Sequence, residues 1–171
     1  MLEGLVFLRQ EKFEDAESMF KAVLDLDARS HRALLGLAEI ALSRKQYDEA
    51  LAKLREALRY NPQLLPPRIL SAKVYTEQGN IEKAIGEIQR VLEIDPSQVK
   101  AYFHLARLYV HRDEKDKAAE ALNLAVEKLP EKSASIYLKL GLLAADLKLY
   151  EVAEKAFRVL LQLQPNHSMV Q

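Results

Sequence analysis

The feature that most restricts this chain is that it repeats itself. The stretch FEDAESMFKAVLDLDA (13–28) returns as YDEALAKLREALRYNP (47–62), IEKAIGEIQRVLEIDP (81–96), KDKAAEALNLAVEKLP (115–130) and YEVAEKAFRVLLQLQP (150–165). Successive copies begin 34, 34, 34 and 35 residues apart. A fixed period of this size marks a stack of supersecondary units, because one unit cannot bury its apolar face alone and must lean on the next.

Inside each copy a small residue recurs as Ala16, Ala50, Ala84, Ala118 and Ala153. Four positions later stands a large apolar residue: Phe20, Leu54, Ile88, Leu122 or Phe157. Three further on comes Val23, Ala57, Val91, Ala125 or Leu160. Offsets of four and three place these side chains on one helical face. The alanine lets a neighbouring helix come close. Proline closes four copies (Pro62, Pro96, Pro130, Pro165), and it ends a helix because it cannot continue one; the first copy has Ala28 instead.

A second helical stretch fills each interval: HRALLGLAEIALSRK (31–45), LPPRILSAKVYTEQG (65–79), VKAYFHLARLYVHRD (99–113) and ASIYLKLGLLAADLK (134–148). Pro66 and Pro67 fall in a first turn, where a missing N–H costs little. Gly79-Asn80 is a good helix stop, whereas Arg112-Asp113-Glu114 offers only a polar turn. The unit is therefore helix, short turn, helix, proline. No strand-like alternation or low-complexity segment interrupts it.

This pattern resembles the tetratricopeptide repeat family. The resemblance rests on the period, the small-large-small face of the second helix, the closing proline, and a first-helix pair (Leu37-Ala38, Leu105-Ala106, Leu140-Gly141) with a tyrosine three residues on at Tyr75 and Tyr109. Ser71-Ala72 matches more weakly. The family's tryptophan is absent, and Leu34, Arg68, Tyr102 and Tyr137 stand in its place. The resemblance spans essentially the whole chain. It implies an all-α, right-handed superhelical solenoid of antiparallel helix-turn-helix hairpins, read as one domain over residues 1–171 with repeats at 1–30 (partial), 31–64, 65–98, 99–133 and 134–167. Both ends look cut, so the expectation is a fragment of a longer protein. A sticky last repeat would offer a route to a homodimer.

Composition narrows the function. Lys plus Arg balance Asp plus Glu at 25 each, which argues against a nucleic-acid or anionic-membrane binder. With no cysteine, disulfides and thiolate chemistry are excluded. No apolar run has the length of a membrane span, and the first residues lack the basic start and cleavage site of a signal peptide. The expected location is soluble, with the cytoplasm preferred. The glycines never cluster into a phosphate loop, and His104 and His111, seven apart, are spaced wrongly for a helical metal pair. No enzymatic activity, cofactor or metal is expected.

What remains is a second stripe on the first helices. It reads Leu35, Glu39, Leu42; then Ile69, Lys73, Thr76; then Phe103, Arg107, Val110; then Leu138, Leu142, Ala145, with Met1, Leu5 and Leu8 in the partial repeat. Two apolar stripes exceed what a surface helix needs. The resemblance implies that this side lines a concave groove for a peptide. The alternative is that these side chains simply pack against the next repeat. Lys100, His104, Arg107 and His111 form a basic flank along the fourth repeat, opposed by Glu39, Glu77 and Asp146. The expected partner is a protein or peptide with acidic and apolar residues. The chaperone-binding carboxylate clamp of the family needs Lys and Asn one turn apart; here those slots hold Leu35/Glu39, Ile69/Lys73, Phe103/Arg107 and Leu138/Leu142, so chaperone tails are not expected to bind. The leading expectation is a protein-interaction scaffold. Self-assembly through the end repeats and a recruiting segment of a larger enzyme are the alternatives.

Overall fold

The computed structural model describes residues 12–128 and 133–164. Among these residues there are nine helices and no strand. They are α1 (Phe13–Leu26), α2 (His31–Ser43), α3 (Tyr47–Tyr60), α4 (Leu65–Glu77), α5 (Ile81–Ile94), α6 (Val99–His111), α7 (Lys115–Glu127), α8 (Ala134–Asp146) and α9 (Tyr150–Leu163). Met1, Leu5, Leu8, Pro130, Pro165 and the residues after it, including His167, lie outside the described residues.

Odd-numbered helices are the second helices of the repeat, and each of them opens with acid in its first turn. Glu14 and Asp15, Asp48 and Glu49, Glu82, Asp116, and Glu151 stand there. These carboxylates complement the positive end of the helix dipole. The even-numbered helices have no acid in the first turn. Pro66 and Pro67 sit at the start of α4 as expected.

Two turn chemistries alternate with the repeat. Within each hairpin the first helix ends in a left-handed residue: Lys45, Gly79, Asp113 and Lys148, with φ of 58°, 75°, 59° and 60°. In each case the next residue's N–H reaches back five positions: Gln46 to the Ala41 carbonyl, Asn80 to Tyr75, Glu114 to Tyr109 and Leu149 to Ala144, all at 2.8–2.9 Å. This is a Schellman close, and it satisfies carbonyls that the helix end would leave bare. The polar turn at Asp113 thus has the same geometry as the glycine turn at Gly79. Between hairpins, the carboxylate or amide of Asp27, Asn61 and Asp95 accepts the backbone N–H two residues on, each at 3.0 Å. These side-chain turns explain how α1 stops although Ala28 stands where the other copies have proline. Bonds from Gln98 and Ser97 hold the Asp95 carboxyl below its ordinary range.

The described residues form two compact units, divided between Glu87 and Ile88 inside α5. In the first unit α1 packs on α2, α2 on α3, α3 on α4, and α2 on α4. In the second, α6 packs on α7, α7 on α8, α8 on α9, and α7 on α9. Contacts therefore run between chain neighbours and next-but-one helices, as in a repeat stack. The repeated alanines Ala16, Ala50, Ala84 and Ala118 are wholly buried, and so are Phe20, Leu54 and Leu122. In the slot where the family has tryptophan, Arg68 and Tyr102 donate to the carbonyls of Pro62 and Pro96, at 3.0 and 3.1 Å. Each thereby ties a first helix to the turn before it. Arg68 also pairs with Glu87 at 3.2 Å.

Two glycines are required by close approach. A Cβ on Gly36 would lie 2.3 Å from the Phe20 ring, and one on Gly141 would lie 2.5 Å from the Phe157 ring. Repeats with Leu at the position of Phe157 carry Ala at the position of Gly141: Ala38 with Leu54, Ala106 with Leu122. Ring size and glycine are matched.

Two predictions follow from the packing and the turns. Gly141→Ala should lower stability, because overpacking of about 1–3 kcal/mol outweighs the helix-propensity gain of about 1 kcal/mol. Adding Phe157→Leu should restore it, since the pair then copies Ala38 and Leu54. Thermal denaturation of the two single variants and the double variant measures the coupling. Lys45→Gly and Lys148→Gly should each raise the melting temperature by about 1–3 °C, because the left-handed penalty exceeds the entropy cost of glycine. Asp113→Gly should yield less, because Asp tolerates that conformation, and Gly79→Ala should lower the melting temperature.

Candidate functional site

In the first unit the stripe lies on α2 and α4. Leu35 is half-buried against the core formed by α2, α3 and α4. Leu42 belongs to that core outright, with 5% of its surface exposed. The expectation that Leu42 lines a groove is therefore corrected: the last turn of α2 is sealed by α3 and α4, and the side chain has no surface left for a partner. Ile69 remains exposed at 37%. Lys73 and Thr76 are exposed too, but the Thr76 hydroxyl donates to the Ala72 carbonyl at 2.8 Å and so is already engaged in its own helix. Glu39 is half-buried. Desolvation raises its carboxyl above the ordinary range, and the positive charge of Lys73 only partly offsets this. This face is mixed in charge.

The second unit differs. Residues of α6 and α8 line an open hollow of about 560 Å³. Its apolar part is Phe103, half-buried, with Leu142, 46% exposed, and Leu143 beneath. Lys100, His104 and Arg107 come from α6, and Lys139 and Asp146 from α8. Three fixed cations and one histidine thus face a single carboxylate. His104 keeps contact with solvent, yet its pKa lies below the ordinary value, first through desolvation by the walls and then through repulsion from Arg107 and Lys100.

Of the residues expected from the sequence, the hollow brings together Lys100, Phe103, Arg107 and Leu142. Val110 and Leu138 are half-buried and His111 is exposed, but none of the three lines it. Lys139 and Leu143 were not among the expected residues, whereas His104 belongs to the basic flank already expected. A signal for Lys139 exists: it shares with His104 the register that Gly36 and Leu70 hold in the first unit. That register lies one residue beyond the stripe and changes from apolar to basic along the chain. Among the described residues no group of three His, Asp or Glu could hold a metal ion, and no helix is long and apolar enough to cross a membrane.

Comparison with known proteins supplies the family. Tetratricopeptide repeat models match residues 1–64, 41–98, 100–131 and 134–167. The general transcriptional corepressor ssn6 of Schizosaccharomyces pombe is 29% identical over 124 residues, 72% of this chain and 11% of the corepressor. Protein O-mannosyl-transferase Tmtc3 of Drosophila melanogaster is 26% identical over 128 residues, 74% of this chain and 14% of that protein. This chain thus spans a small part of the curated relatives it matches. Among solved structures, MamA superposes with a TM-score of 0.69 at 22% identity, covering 93% of this chain and 92% of MamA. YrrB, described as a TPR protein with an unusual peptide-binding site, superposes with a TM-score of 0.61 at 19% identity, covering 98% of this chain and 86% of YrrB. Likeness at this identity shows the fold. Together with the repeat models, which between them take in nearly every residue, it establishes that the chain is a member of the tetratricopeptide repeat family.

Proposed function

We propose that this chain is a non-catalytic protein-interaction module that holds a segment of a partner protein against its first helices, with the α6–α8 hollow as the principal contact. The observation that carries this reading is the co-location of Phe103 and Leu142, apolar and accessible, with Lys100, Arg107 and Lys139 around them. A large apolar side chain of the partner would be desolvated against Phe103 and Leu142, which supplies affinity. The cations around it would fix orientation and reject basic competitors. Within the second unit, Val110, His111 and Leu138 would stand at the margins of this contact; Leu35, Glu39, Ile69, Lys73 and Thr76 form a separate candidate face on the first unit. The peptide-binding site described for YrrB on the same fold agrees with this use of the repeats. The match to an O-mannosyl-transferase admits a recruiting role within a larger protein, in which this part binds and another part reacts.

A second reading, self-assembly, has one observation in its favour: Tyr150 on α9 is 68% exposed, and Leu163 at the end of that helix is 39% exposed. Sedimentation of the wild type and Tyr150→Ser over a range of concentrations separates the two readings. A monomer at every concentration removes self-assembly.

The direct test is peptide display on the immobilised chain. Selected peptides should lose about tenfold or more in affinity for Phe103→Ala and for Arg107→Glu, roughly the effect of a hot-spot residue. They should bind Arg158→Glu, altered on an exposed part of α9, as well as wild type. Equal binding to all four proteins would remove the hollow as the site.

A further inference from the structure

The α6–α8 hollow contains one group whose charge is not fixed near neutral pH. His104 stands in the same lining as Lys100 and Arg107 of its own helix and Lys139 and Asp146 of α8, while α5 and α7 contribute no lining group. Three permanent positive charges against one negative make protonation of a fourth group unfavourable while the hollow is empty. The same excess makes the hollow complementary to an acidic segment, in a chain whose overall charge is zero.

We propose that the hollow binds an acidic segment together with a proton, taken up by His104, so that the partner is held more tightly as the pH falls. This rests on the reading that the partner lies in the hollow. The linkage follows from charge. In the free chain, desolvation and the Arg107 and Lys100 charges hold the imidazole neutral at neutral pH. A carboxylate brought among Lys100, Arg107 and Lys139 cancels that repulsion and accepts a hydrogen bond from the imidazolium, so the pKa of His104 rises on binding. Between the free and the bound pKa, binding consumes a proton and affinity climbs with acidification. Below the free pKa, His104 is charged in both states and affinity levels off. If the partner met His104 with apolar surface alone, desolvation would lower the pKa further and the pH dependence would have the opposite sign.

The probe is a short fluorescein-labelled peptide of Asp, Glu and a single Phe, free of histidine, with its Gln-for-acid analogue as control. Its carboxylates stay ionised between about pH 5.5 and 7.5. Fluorescence anisotropy with the full chain should show about tenfold tighter binding at the lower pH for wild type and a nearly flat profile for His104→Gln. Circular dichroism verifies that His104→Gln is folded; the residue is exposed, so it should be. The same slope in His104→Gln, or weaker binding on acidification, would overturn the proton linkage while leaving the hollow as the site. Equal binding of the acidic peptide and its Gln analogue, or no binding at either pH, would overturn the acidic partner. Binding that ignores Phe103→Ala and Arg107→Glu would place the peptide elsewhere, and the underlying reading would fall with it.

Discussion

The close contact of two helices within each hairpin is the constraint on which the rest depends. It is made possible by alanine at one position and completed by a large side chain four residues later. Ala16, Ala50, Ala84 and Ala118 are sealed from solvent, and Phe20, Leu54, Ile88 and Leu122 fill the space that their small size opens. Where the filling residue is Phe157, Gly141 on the other helix of the same hairpin yields the extra volume; Gly36 does so for Phe20 across the junction between successive repeats. Interiors pack near crystal density, so this exchange of volume between partners is obligatory. Once the hairpin is set, part of its first helix stays open to solvent, as at Ile69 and Leu142, while Leu42 is taken into the core.

Much of this was legible in the sequence because the packing residues recur and the period counts them. The helix positions follow from the offsets of four and three and from the interruptions between them. The turns were harder. Proline marks the stop in the sequence, whereas in the structure the side chains of Asp27, Asn61 and Asp95 also close the turn, the first of them with no proline following. The left-handed positions are legible at Gly79 and weakly at Asp113, a residue type that tolerates that conformation, whereas Lys45 and Lys148 carry no marker of it.

The site was legible in part, and the reason is geometric. A stripe at i, i+4 and i+7 specifies a face, but not how far along the helix the neighbours cover it. Leu42 shares its stripe with Leu35 yet is closed over by α3 and α4, while Ile69 stays open. Lys139 escaped notice because it sits beside the stripe rather than on it, and only the walls of the hollow bring it to Phe103. Charge behaved similarly. A net balance of zero argues against a generally basic protein but does not report local excess: Glu39 stands opposite Lys73 in one unit, while Lys100, Arg107 and Lys139 face only Asp146 in the other.

The turns have one more consequence. In an uninterrupted helix, an added residue would swing every later side chain by about 100° around the axis. Here the fifth copy begins 35 residues after the fourth, and the added residue falls between the end of α7 at Glu127 and the start of α8 at Ala134. Helix α8 begins its own count, so Leu138, Lys139 and Leu142 keep the angular phase of Phe103, His104 and Arg107. Each turn acts as a phase reset. Insertions between hairpins alter spacing without scrambling the faces, so a chain of this kind can lengthen between hairpins while each helix keeps its side chains in register.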